Sequence, residues 1–400
     1  MTYPIKKISE ICEIQRGGSP RPIKDFITDD KDGINWIKIG DTKKVNKFIY
    51  ETNEKIRPEG IKKSRMVYPG DFILSNSMSF GKPYIMKTTG CIHDGWLVLR
   101  TDKDIIDDNF LYLLLGSNIM YAKFSNATSG TTVQNLSIDK VKNIEIKVPP
   151  LSTQKLIVQK LDSAFKNIDE SIKITKKNIE NIEELNKSVL EEVFVEGKYE
   201  MKSIGDIVEF GPKKSETKLL DETTDVSFVP MKYMNVKKMF FDSIEIKKLK
   251  DVYKGYTYFK DNDVLLAKVT PCFENGKSGI AKNLTNGIGF GSSEYYVFRS
   301  NNNISKEWIY YAVTTDKFLK EGANNMSGAV GLKRVTKEFI LNYKIPLPPR
   351  EKQKEIVSYL DEVFEKNKVI REGYESKLKD LEEMRQSILK EAFEGRLVGE

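Results

Sequence analysis

Four hundred residues, 39% apolar, 10% aromatic and 31% charged, are too many for one ordinary core and suit two or three globular domains. No apolar run reaches the length of a membrane span, the opening MTYPIKKISEI has no apolar signal core, and Cys12, Cys91 and Cys272 are too few and too far apart for a disulfide framework, so the composition predicts a cytoplasmic protein with reduced thiols. The net charge of +7 is unevenly placed: residues 1–148 and 200–347 each carry 23 basic and 18 acidic side chains, whereas 149–199 and 348–400 are slightly acidic. Two equally basic segments suit a polyanion touched at two places, duplex DNA above all, although a solvated Lys-rich surface would give the same count.

The first basic segment opens with the strand-like IKKISEICEIQR and breaks at Gly17, Gly18, Pro20 and Pro22 into an exposed turn. GINWIKIGD, YPGDFILSNS and GWLVLR follow as turns and strands, with the Gly-containing SFGKP between the last two. NFLYLLLGSNIMYAKF reads as one helix over 109–124, ATSGTTVQNLS as a loop over 127–137, and NIEIKVPP as a strand. The sum predicts an α+β module, mostly strands, with its loops to one side.

From Pro149 the pattern changes to a helix of about 45 residues. Pro150 stops the preceding strand, and Ser152 stands where a helix cap is expected. Apolar residues then alternate at spacings of three and four: Val158, Leu161, Phe165, Ile168, Ile172, Ile179, Ile182, Val189 and Val193, with Thr175 and Asn186 as polar members. Such a helix would run roughly 68 Å, more than one compact domain requires.

The chain then repeats itself. A second module over 200–347 follows the same order: MKSIGDIVEFGPKKS, SFVPMKYMNV, KDNDVLLAKVTPCFENGKSG with Asp263 standing where Asp71 does, the helix EWIYYAVTTDKFLKEG, the loop NNMSGAVGLKRV and the strand NYKIPLPP. A second helix begins at Pro348, 199 residues after Pro149, and both copies also end 199 residues apart. Glu351 is its first-turn acid, and its seam is Val357, Leu360, Phe364, Tyr374, Leu378, Leu381, Ile388 and Ala392, interrupted by Asn367, Arg371 and Arg385. Polar seam residues fix register at some cost in stability, so the two helices are expected to pair with each other, antiparallel, through Leu161, Phe165, Ile168, Ile172, Ile179 and Ile182 on one side and Leu360, Phe364, Tyr374, Leu378, Leu381 and Ile388 on the other. Gly373 is a weak point in the second helix.

This layout resembles the specificity subunit of type I restriction-modification systems. The resemblance covers the whole chain and is carried by the two PP-x-x-x-Q-K-x-I-V-x-x-L-D-x-x-F helix starts and by SGTTVQNLS and GLKRV just upstream. Thr153 and Lys352 replace the acid usual before the Gln. The resemblance implies two target-recognition domains, each reading half of a split DNA target, and paired helices that set the gap and dock methyltransferase subunits, likewise two, with a restriction translocase joining that core. S-adenosylmethionine would then bind the methyltransferase, leaving no cofactor on this chain. The predicted boundaries are 1–148 and 200–347 for the recognition domains, and 149–199 and 348–400 for the helices.

The residues themselves speak against catalysis. His93 is the sole histidine, which removes His-dependent triads and multi-His metal sites; beside Trp96 it reads as a core residue. The GKS of 276–278 lacks the opening glycine of a phosphate loop, Pro271 standing there instead. No metal site is predicted, and no Asn-Pro-Pro-aromatic methyltransferase motif is present. Base and phosphate contacts need Arg, Lys, Asn, Gln, Ser and Thr on loops. In the first module Arg16, Ser19, Arg21, Asn76, Ser79, Lys82, Ser129, Thr131 and Gln134 answer to that; in the second, Lys213, Lys214, Lys268, Thr270, Asn275, Lys277, Lys333 and Arg334. Phe80 and Phe273 lie in comparable loops, where base stacking and core burial are both open to them. The expectation is a non-catalytic DNA-recognition subunit whose half-site centres lie about one helical turn apart, ~34–36 Å. Two alternatives stand beside it: a recognition subunit whose partner fuses nuclease and methyltransferase, and a coiled-coil adaptor that binds protein.

Overall fold

The computed structural model describes residues 3–43, 45–76, 80–128, 135–236, 238–241, 244–329 and 331–397. The chain divides into two compact units, 1–175 with 376–400 and 176–375, so each long helix contributes to both.

In the first unit the alternation of apolar residues along the central strand Trp96–Thr101 builds two layers at once. Leu97 and Leu99 face a large core that also holds Phe72, Leu74, Phe110, Phe124, Leu161 and Phe165, while Trp96 and Val98 face a second core with Ile37, Val67, Ile73 and Tyr84. Its sheet runs Cys12–Arg16, Trp96–Thr101, Phe72–Ser75, Pro83–Met86 and Phe48–Ile49. A second sheet runs Ile27–Thr28, Glu54–Ile56, Ile34–Ile37, Gly90–Ile92 and Arg65–Val67, with a parallel pair at its centre. The second unit repeats both orders without the short end strands. Its first sheet is Glu209–Phe210, Tyr295–Arg299, Val264–Ala267 and Ser278–Ile280; its second is Glu245–Lys248, Asp225–Val229, Ile288–Gly291 and Thr257–Lys260, again with a parallel centre. Duplication therefore extends to strand order and direction.

Shared local chemistry explains how diverged sequences keep one fold. Asp71 and Asp263 each follow a residue of positive φ, Gly70 and Asn262, and each accepts a hydrogen bond from the backbone three residues earlier, Tyr68 or Lys260. Each is then met from the neighbouring strand by an arginine: Arg100 at 3.3 Å from Asp71, and Arg299 at 2.9 Å from both oxygens of Asp263. The turn and the strand pairing are thus fixed by one carboxylate.

The long helices span Leu151–Phe194 and Arg350–Glu394. Every predicted seam residue is buried or half-buried, and the polar breaks meet polar partners. In the first unit Arg385 pairs with Asp169 and lies 4.6 Å over the Phe165 ring, and Lys160 reaches the Leu397 carbonyl at 3.2 Å. In the second, Asn367 donates to the Asn186 side chain at 2.7 Å, and Arg371 stands 3.9 Å from Glu183. Within each unit the partner number falls as the first helix advances, which is antiparallel pairing.

Three details depart from the sequence reading. The single helix expected at 109–124 is two, Asp108–Leu115 and Asn118–Thr128, because Ser117 turns its hydroxyl onto the Leu114 carbonyl and caps the Met120 N–H. Its counterpart breaks at the same place into Lys306–Val313 and Asp316–Asn324, with Thr315 as the cap. Ser152 is no cap, since the helix already begins at Leu151. The 326–335 loop is a hairpin, Met326–Ala329 with Leu332–Val335.

Candidate nucleic-acid interface

Antiparallel pairing sets where the loops emerge. In the first unit the end of Cys12–Arg16, the start of Trp96–Thr101, the end of Phe72–Ser75 and the start of Pro83–Met86 all fall at one end of the sheet. Arg16 is therefore a neighbour of Asn76 and Lys82, although it lies far from both in the chain. The segment that begins at residue 135 joins them, the Leu136 N–H donating to the Asn76 carbonyl at 2.9 Å.

At the centre stands Asp94, which the sequence reading passed over. Its carbonyl accepts from Arg16 Nε at 3.2 Å and from the buried Asn76 amide at 2.9 Å, and its carboxylate accepts from Ser19 at 2.6 Å and faces Arg21 at 3.8 Å. The Ser19 hydrogen bond, more than the charges of His93 and Arg21, holds that carboxyl below the usual range. The loop can approach so closely because Gly17 and Gly18 lack a side chain: a Cβ on Gly17 would lie 2.1 Å from the His93 carbonyl. Of the predicted residues, Arg16, Ser19, Arg21 and Asn76 thus converge on one acid. Lys82 is exposed, 5.4 Å over Tyr84. Ser79, Ser129, Thr131 and Gln134 lie outside the described residues.

The second unit gathers its loops in the same way, around Glu294. Arg334 donates to both carboxylate oxygens at 2.8 and 2.7 Å, and the Lys268 N–H donates to the Glu294 carbonyl at 2.9 Å. Thr270 N–H reaches the Lys333 carbonyl at 2.9 Å, tying the 268–277 loop to the hairpin. Lys277 follows Gly276 (φ +70°) as Lys82 follows Gly81 (φ +84°), so the two lysines hold equivalent positions. Lys213, Asn275 and Lys333 are exposed; Lys214 instead turns to the Tyr253 carbonyl at 3.0 Å, and Lys268 lies 5.3 Å over Tyr296.

Phe80 and Phe273 are both core residues, at 6% and 0% exposure, and neither is available to stack on bases. Phe80 is instead covered by Tyr121, 5.7 Å away and nearly coplanar. His93 sits half-buried 6.2 Å from Trp96, and burial pushes its ionisation down. Among the described residues no cluster of His, Cys, Asp or Glu could hold a metal ion, and no helix is long and apolar enough to cross a membrane. Burial pushes the Cys12 thiol up to about 12, which makes it inert.

Comparison with known proteins places these features in a lineage. A family model described as the type I restriction modification DNA specificity domain matches residues 2–184 and again 196–379. The EcoAI specificity subunit of Escherichia coli is 39% identical over 160 residues, a stretch that spans 40% of this chain and 27% of that relative. The MjaVIII specificity subunit of Methanocaldococcus jannaschii is 25% identical over 344 residues, 80% of this chain and 76% of its own length. A chain solved in a study of complex assembly in a type I R-M system superposes with a TM-score of 0.73 at 18% identity, covering 99% of this chain and 98% of that one, a likeness of fold.

Proposed function

Because the chain belongs to the type I restriction modification DNA specificity family, we propose that its modules, residues 1–148 and 200–347, each read one half of a bipartite duplex target, while the helical segments 149–199 and 348–400 set the gap and seat two methyltransferase subunits. The observation that carries this reading is the pairing of one scaffold with two loop chemistries. Strand order, turn acids and helix starts are shared, whereas the loops at the sheet end are not: the turn after the first sheet strand carries Ser19 and Arg21 in one unit and Lys213 and Lys214 in the other. Different loops on one frame suit two different half-sites. The chain itself is a non-catalytic reader that carries no cofactor; S-adenosylmethionine belongs to the methyltransferase partner, and a restriction translocase completes the assembly.

Off-seam apolar side chains support partner seating on the helices. Leu156 and Ile174 in the first unit and Leu185, Tyr359, Val369 and Ile370 in the second are 41–60% exposed. The deciding experiment sequences methylated bases in DNA from cells that express this chain with a type I methyltransferase subunit, against cells lacking the chain. A new motif of two short blocks around an unspecified gap is the expected result. No new motif beside an active methyltransferase would favour a protein-binding adaptor.

A further inference from the structure

Both units place an acid at the head of the central strand, Asp94 and Glu294, and in both it gathers cationic loops. At a surface that meets a polyanion a carboxylate is unfavourable by charge, so it has to serve in another way. Glu294 faces the hairpin Met326–Ala329 and Leu332–Val335, whose residues 327–329 and 331–333 are exposed. The hairpin is held at its root: the Val335 N–H donates to the Lys268 carbonyl at 2.9 Å, and the Tyr296 hydroxyl donates to the Val335 carbonyl at 2.9 Å. A two-stranded ribbon is marginal alone, so its direction depends on what grips that root. The bidentate Arg334–Glu294 pair is the one charged grip among the described residues.

On the reading of the chain as a DNA reader, we propose that Glu294 is a positioning residue for the second half-site: through Arg334 it aims the 326–335 hairpin at the duplex, where Lys333 meets phosphate. Arg334 then supplies geometry and no charge to DNA. A guanidinium neutralised by a carboxylate displaces few counterions, whereas Lys333, which has no ion-pair partner among the described residues, contributes its full share to the salt dependence.

The test uses the full-length chain and duplexes selected by it from a randomised pool. Competition against duplexes with one block scrambled measures discrimination at each block, and salt titration gives the slope of log K against log salt. Glu294→Gln and Arg334→Gln are each expected to lower discrimination about 10-fold at one block only, with the slope unchanged in Arg334→Gln and no shallower in Glu294→Gln, where the guanidinium loses its counter-charge. Lys333→Ala is expected to weaken all sequences alike and reduce the slope by about 0.9. Exchanging the charges, Glu294→Arg with Arg334→Glu, should restore discrimination. A slope reduced by about 0.9 in Arg334→Gln would show that Arg334 contacts DNA, and discrimination intact in Glu294→Gln would show that Glu294 aims nothing; either overturns the assignment. If the unsubstituted chain selects no sequence, the DNA-reading function itself fails and the inference falls with it.

Discussion

Gln154 and Gln353 show how one side chain can hold an element in place. Each is fully buried at the start of a long helix. Gln154 donates to the carbonyls of Ile105 and Pro149 and accepts from the Asp107 N–H; Gln353 does the same with Asn303, Pro348 and Ser305. The amide thus clamps the loop before the short helices to the root of the long one. Replacing Gln154 by Leu would strand two carbonyls and an N–H, each costing about 1–3 kcal/mol when buried unpaired. We expect Gln154→Leu to lower stability by at least about 2 kcal/mol in urea unfolding; a change within error would refute the clamp. His93 gives a second test. Burial is the main cause lowering its ionisation, with Lys38 adding to it and Asp94 and Asp41 opposing. A charged ring would carry hydrogens on both nitrogens and lose the bond that Nδ1 accepts from the Gly95 N–H at 2.7 Å. The folded chain therefore binds this proton less readily than the unfolded chain, whose value is near 6.5. Stability from this source is present above about pH 6.5 and is lost as pH falls toward the folded value. Melting temperatures at pH 7.5 and 5.5 should diverge more in the natural chain than in His93→Gln; equal divergence would clear His93 of the effect.

At the scale of elements, the helix seam is where sequence and packing agree most closely. The seam residues are buried or half-buried, the off-seam Ile157, Phe194, Leu389 and Phe393 are buried as well, and the three polar breaks in the second helix meet Glu183, Asn186 and Asp169. A buried Asn pair selects register at a cost in stability. Replacing both Asn186 and Asn367 by Leu should raise the melting temperature while broadening the set of helix registers, seen as extra amide resonances or crosslinks; a single unchanged register would argue that the arginines alone define it. Gly373 has nothing within 4 Å of where a Cβ would stand and lies on the exposed side of its helix. Gly373→Ala should stabilise by about 0.5–1 kcal/mol. Less legible were the short helices, broken at Ser117 and Thr315, because a hydroxyl that caps a helix and one that merely faces solvent look alike in sequence. The 326–335 hairpin was missed for a related reason: Ser327, Gly328 and Gly331 read as loop, and its pairing is fixed from outside by Lys268 and Thr270.

At the scale of the whole molecule, the duplication predicts separable functions. Lys82 and Lys277 occupy equivalent hairpin positions in different modules. Lys82→Ala is expected to lower discrimination at one block of the target only, as loss of a base contact does; equal loss at both blocks would defeat the modular reading. What the sequence by itself determined was the one-dimensional part: a repeat of 199 residues, two helices with an apolar seam broken at a few polar positions, and strands placed by alternation and turn residues. Those features arise from periodicities of 3.6 and 2 that a chain writes locally. Only the tertiary structure decided which loops share a sheet end, that Asp94 and Glu294 capture the arginines expected to face DNA, and that Phe80 and Phe273 are buried. Strand pairing joins residues nearly 80 positions apart, such as Arg16 and Asp94, and whether a cation is free or already paired depends on what that pairing brings beside it.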